Sequence, residues 1–155
     1  MDATTIAVVE ECAHGSHAGT MVFGTVVGKL IAAGIESYHA DYRHGDTTYY
    51  LPSGATHAVK LAVPGLPVAE AFDARAVEAA VRGAQRGDVK YQEFMRLTMN
   101  AGCVGYIVWI AGPTFSTWAA GVRRTSNTFP ARVDRLDRWP GGLLACEPMV
   151  TPCPN

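Results

Sequence analysis

A chain of 155 residues with a formal net charge of -1 and 48% apolar content has the size and composition of one globular domain able to bury its own core. That charge gives no basic footprint for nucleic acid and no polybasic anchor for anionic lipid. The longest apolar run, Cys103–Ala111, is about half of the roughly 20 residues a membrane span requires. Met1-Asp2-Ala3 lacks the charged and apolar regions of a secretory signal, so a cytoplasmic location is expected. Four cysteines without Cys-x-x-Cys spacing fit that compartment.

The first predicted element is a helix capped by Thr4 or Thr5 and running to about Ala13, where Gly15 and Gly19 break it. A second helix follows Thr20. Its Phe23, Val26, Val27, Leu30 and Ile31 fall at the spacing of one buried stripe, and Gly34 stops it as a left-handed C-cap. The period then changes from 3.6 to 2. Glu36–Arg43 and Thr47–Leu51 read as strands joined at His44-Gly45-Asp46. A connection of two or four residues places Tyr38, Ala40, Tyr42, Thr47, Tyr49 and Leu51 on one face, and Ser37, His39, Asp41, Arg43, Thr48 and Tyr50 on the other. The clean division into apolar and polar faces supports that register. His57–Val63 reads as a third strand with Val59, Leu61 and Val63 inward. After the Pro64–Pro67 linker, Asp73 caps a helix lined by Val77, Ala80, Val81 and Ala84 that ends at Gly87. Asp88 is expected to cap the next helix, whose stripe is Tyr91, Phe94, Met95 and Thr98, with Gly102 ending it before a strand at Cys103–Ile110.

This order occurs twice. Thr5–Asp41 aligns without a gap on Asp73–Trp109 at an offset of 68, pairing Val9 with Val77, Glu10 with Glu78, Gly15 with Gly83, Gly19 with Gly87, Gly34 with Gly102 and Tyr38 with Tyr106. Self-similarity at a fixed offset marks a supersecondary unit that buries its apolar face against a copy of itself. The expected architecture is one α+β domain over residues 1–112, with repeats at about 5–63 and 73–112. It is a pseudo-twofold pair of helix-helix-strand units, with helices packed on one face of an antiparallel sheet.

Several stretches carry a family resemblance. Gly34-Ile35-Glu36-Ser37-Tyr38-His39-Ala40-Asp41-Tyr42-Arg43, Thr47-Thr48-Tyr49-Tyr50-Leu51-Pro52, Ala69-Glu70-Ala71-Phe72-Asp73, Arg82–Gly87, Lys90-Tyr91 to Phe94 and Ala101–Tyr106 resemble the YbcV-like bacterial family, domain of unknown function 1398. The likeness covers roughly residues 5–112. It implies a fold and leaves activity open; some members bear the label "phage envelope protein".

Candidate chemistry centres on the hairpin. His39 beside Asp41 is the minimum for general acid–base work, because a carboxylate fixes the imidazole tautomer and tunes its pKa. Arg43 and Tyr50 on the same face suit an anion. The competing reading is a solvated sheet face, which alternating polar residues produce without any function. A ligand pocket is a further expectation for the aromatic set Tyr38, Tyr42, Tyr49, Tyr106 and Trp109, with phenols as polar fixers in an apolar cleft. His14 and His17 lie three apart, and His39 and His57 would converge if their strands paired, yet no ligand spacing for zinc or nickel is present. No metal and no cofactor is therefore expected. Cys12 and Cys103 read as core cysteines, and no Gly-x-Ser-x-Gly elbow occurs. An EF-hand at Asp88 is excluded by the missing oxygen ligands.

The leading functional expectation is a non-enzymatic binding or accessory domain whose partner is a small ligand or a protein, a homodimer included. The alternative is a small acid–base or metal-assisted enzyme centred on His39 and Asp41; the third is a phage-derived structural protein. Residues 113–155 stand apart, with five Arg, no Lys and six Pro. Permitted codons in a shifted frame can encode a strand-turn-strand like that of the first half. The expectation is a frameshifted, non-native tail after Gly112 that leaves Cys103–Ala111 as a sheet edge unless Phe115–Trp118 pairs with it as an improvised strand; the alternative is a genuine divergent extension serving as an Arg-rich interaction tail.

Overall fold

The computed structural model describes residues 1–110 fully and, beyond them, the backbone of two strands at 114–119 and 124–128. In chain order the elements are α1 (Ala3–His17), α2 (Phe23–Ala32), β1 (Ser37–Asp41), β2 (Asp46–Tyr50), β3 (Thr56–Lys60), α3 (Ala74–Arg86), α4 (Tyr91–Asn100), β4 (Cys103–Trp109), β5 (Thr114–Ala119) and β6 (Arg124–Thr128). The strands form one antiparallel sheet in the order β3-β2-β1-β4-β5-β6. The α+β class is as expected. No helix among the described residues is long and apolar enough to cross a membrane.

Tyr38 and Ala40 of β1, Thr47 and Tyr49 of β2, Val59 of β3, and Tyr106 and Val108 of β4 are buried, as are Val9, Leu30, Val77, Val81, Phe94 and Met95 of the helices. Together the apolar members make one core between the helices and one face of the sheet. Tyr38 stands opposite Tyr49 and Ala40 opposite Thr47, the register that the polar–apolar division predicts. The strands are shorter than predicted, with residues 42–45 as the connection. Tyr42 in that connection is still buried, where its hydroxyl and Thr98 Oγ1 lie 2.8 Å apart.

Four local expectations change. Asp2 rather than Thr4 or Thr5 caps α1, accepting from the Thr5 amide at 2.8 Å. The helix then continues past Ala13 to His17, because Gly15 serves packing and does not end the helix. A Cβ at Gly15 would lie 2.9 Å from Met21 Cγ, and one at Gly83 only 2.5 Å from Val89 Cγ2. Each glycine admits the side chain that precedes the following helix. Asp73 caps α3 as predicted, but Asp88 does not cap α4: its Oδ2 accepts from Arg86 Nε at 2.7 Å, and Lys90 occupies the cap position without a side-chain bond. Finally, β4 is no edge, since β1 flanks it on one side and β5, at the place of the improvised strand Phe115–Trp118, on the other.

The offset of 68 reappears in the hydrogen bonds. The amides of Thr20 and Met21 donate to Gly15 O, and those of Asp88 and Val89 donate to Gly83 O. Gly34 and Gly102, each left-handed after its helix, donate to Ile31 O and Met99 O. Between the central strands, Ser37 faces Trp109, His39 faces Ile107 and Asp41 faces Gly105. A shift of 68 carries this ladder onto itself about the His39–Ile107 pair. β5 begins 68 residues after β2, and β6 68 residues after β3. The expected frameshift concerns a segment whose residues lie outside the described ones, apart from the backbone of these two strands.

Candidate functional site

The sequence-selected residues divide between the two faces of the sheet. His39, Asp41 and Tyr50 occupy the face that the helices leave open, with His39 opposite Thr48 on β2 and Ile107 on β4. Burial pushes the His39 imidazole below its ordinary pKa, against the pull of Asp41 and Asp46. Asp41 closes the turn after β1: its Oδ1 accepts from the amides of Arg43 at 2.8 Å and His44 at 3.1 Å, while Arg43 Nε lies 3.7 Å away. This is the Asx geometry by which aspartate initiates turns. Arg43 is mostly exposed. Tyr50 borders a separate open-face groove of about 220 Å³, together with Ser37, Pro52, Ile107 and Trp109.

The histidines do not gather. His57 follows the inward parity of Val59 and hydrogen-bonds Glu10 Oε1 of α1 at 3.2 Å, whereas His39 is on the opposite face, so the convergence entertained for these two does not occur. His14 Nδ1 is 2.8 Å from Glu10 O. His17 Nε2 is 2.7 Å from Ala62 O and ties the end of α1 to the segment after β3. No group of three or more His, Cys, Asp or Glu that could hold a metal occurs among the described residues.

Tyr38, the remaining candidate, points the other way, into a cavity of about 50 Å³ between the helices and the sheet. β1 and β2 supply its floor with Tyr38, Thr47 and Tyr49, and β4 adds Tyr106. Cys12 and Ala13 of α1, Val26 of α2, Val81 and Ala84 of α3, and Phe94 of α4 form walls. Met21, Val22, Phe23, Val89, Lys90 and Tyr91 line it around the starts of α2 and α4, and Ser16, Leu61 and Gln85 complete it. The rings interlock: Tyr38 lies 5.4 Å from Tyr49 and 6.1 Å from Tyr106 between centroids, and Phe94 meets Tyr106 edge-on at 5.4 Å. Such tilted and edge-to-face contacts are the favoured geometry for aromatic quadrupoles.

The phenols differ in how they are satisfied. Burial raises the Tyr91 pKa, and hydrogen bonding from Tyr106 and Thr47 partly opposes that rise. Tyr38 and Tyr49 are only 5% and 4% exposed. Neither hydroxyl has a hydrogen-bond partner among the described residues. Burial pushes both pKa values well up, so both hydroxyls stay protonated at neutral pH. Both side chains line the cavity, so water or a ligand acceptor entering it can take their hydrogen bonds.

Sequence reasoning missed Lys90 and Thr47 as cavity residues. Their signal was a mismatch within the repeat for Lys90, which aligns with Val22, and inward parity for the polar Thr47. Cys12 and Cys103 are buried free cysteines, as read; Cys146 and Cys153 lie outside the described residues.

No curated protein and no solved structure matches the chain. The family model described as "Protein of unknown function (DUF1398)" matches residues 13–120, a span that runs from the end of α1 through β5 and takes in the tyrosines of the cavity. The chain belongs to that family, as the motifs around Tyr38 and Tyr106 led one to expect.

Proposed function

We propose that this protein is a non-enzymatic small-molecule-binding domain and that the cavity between the helices and the sheet is its site. The observation that carries this reading is the pair of buried phenols, Tyr38 and Tyr49, whose hydroxyls lack partners among the described residues and line the same apolar space. A few fixed polar groups in an apolar concavity are what a ligand site requires for orientation and specificity. The same reading takes the two halves as copies of one unit, with the cavity where the copies meet.

Acid–base chemistry at His39 and Asp41 is less well supported, because Asp41 is occupied in closing the turn. Arg43 and Tyr50 fall to that second site on the open face. The test is native mass spectrometry of the folded protein after incubation with a cell metabolite extract. Wild type is expected to retain a discrete added mass, and the Tyr38→Phe/Tyr49→Phe double variant, which keeps the ring packing, should lose it. Equal retention by both proteins, or none by wild type, would remove the cavity as the site.

A further inference from the structure

The rim of the cavity is electrically unlike its floor. Lys90 is the one charged residue lining the cavity among the described residues, and no carboxylate lines it. Lys90 is exposed, has no ion-pair partner among the described residues, and lays its stem across Gly19, where a Cβ would sit 3.3 Å from Lys90 Cδ. Two helices also begin at this rim: α2 after Val22 and α4 after Lys90, neither with a side-chain cap. The first-turn amides of a helix carry roughly half a positive charge and favour an anion. Glu93, in the first turn of α4, is already paired with Arg96 through Nε at 2.9 Å. The side chains of Tyr38 and Tyr49, residues more than nine-tenths buried and without a hydrogen-bond partner among the described residues, line the same space and offer it two phenol donors.

We infer that the ligand is a small organic acid: a carboxylate held at the rim by Lys90 and the starts of α2 and α4, on an apolar body lying over the tyrosine floor. The inference rests on the binding role proposed above and adds the ligand's charge class. The phenols hydrogen-bond a second oxygen or the inner edge of the same carboxylate, as neutral donors. The apolar walls at Val26, Val81 and Phe94 reject a fully polar acid, because burying one there would cost its hydration without return.

Paired probes test this. Phenylacetate, phenylacetamide and phenethylamine share one body and differ in head-group charge. Amide chemical shifts of the whole chain are followed in a titration with each. The acid is expected to move the Phe23, Gly24, Tyr91 and Gln92 amides and to bind at least tenfold more tightly than the amide, with the amine weakest. Lys90→Glu should reduce the acid's affinity by tenfold or more and leave the amide's within a factor of two. Tyr38→Phe/Tyr49→Phe should weaken acid and amide alike. If the amide matches the acid, or Lys90→Glu leaves the acid unaffected, the anion assignment fails while cavity binding stands. If none of the three probes moves a cavity resonance at millimolar concentration, the space holds only water and both readings fall.

Discussion

Residues 1–63 and the part from Asp73 onward follow the same order of helix, helix and strand and differ where they line the cavity. Several shared positions are ones where close packing or backbone geometry leaves little choice. Gly15 and Gly83 admit Met21 and Val89, Gly34 and Gly102 end their helices left-handed, and Tyr38 and Tyr106 meet beneath the helices. Among the many positions that differ, three lie on the cavity or the axis: Val22 against Lys90, Phe23 against Tyr91, and His39 against Ile107. With the halves taken as copies, a scaffold used twice keeps what closes its corners; where the two face one space, they are free to supply different chemistry to it.

The largest effect should come from the matched tyrosines. Tyr38→Ala and Tyr106→Ala each remove a buried ring from the shared aromatic cluster and should cost about 3–5 kcal/mol in urea unfolding. The conservative variants sharpen the comparison. Tyr106→Phe deletes the bond with Tyr91 and should cost about 1 kcal/mol, whereas Tyr38→Phe removes an unpartnered hydroxyl and should leave the ligand-free protein as stable or more so. A clear loss on Tyr38→Phe would mean that its hydroxyl is already satisfied within the protein.

The matched glycines come next. Gly83→Ala forces a Cβ onto the short, branched Val89 and should destabilise by about 1–3 kcal/mol, outweighing the helix-propensity gain of alanine. At Gly15 the obstruction is the flexible Met21, so the cost of Gly15→Ala should be smaller. Equal melting temperatures for wild type and Gly83→Ala would show that the corner yields and that the shared glycine has another cause.

The smallest expected effect tests the axis. Burial holds the His39 pKa below the usual value of about 6.5, with Asp41 and Asp46 pulling it up and Arg43 pushing it down. The unfolded chain therefore takes the proton first. The resulting stabilisation is complete above about pH 6.5 and is lost as pH falls through the folded-state value. His39→Ile, which makes the axial pair alike, should flatten this part of the stability–pH profile. A variant with the wild-type acid limb would place the pH dependence elsewhere.

Much of the fold was legible because its causes are local. Glycine is the residue that ends a helix left-handed without steric cost, Asp73 offers its carboxylate to the first amides of α3, and alternating polarity in the hairpin admits one register. Gly15 and Gly83, which the offset of 68 aligns, each lie where an added Cβ would meet the side chain before the next helix. The same reasoning failed where local chemistry had two outlets. Asp88 could cap a helix or pair with Arg86, and Gly15 could end α1 or admit Met21; neighbours in space made the choice. The site followed this rule. Sequence parity put Tyr38 and Tyr49 inward, but parity cannot say whether a buried hydroxyl finds a partner. Only tertiary packing, by leaving a gap between β1, β2 and the starts of α2 and α4, decided that these two did not and that Lys90 stands at the rim.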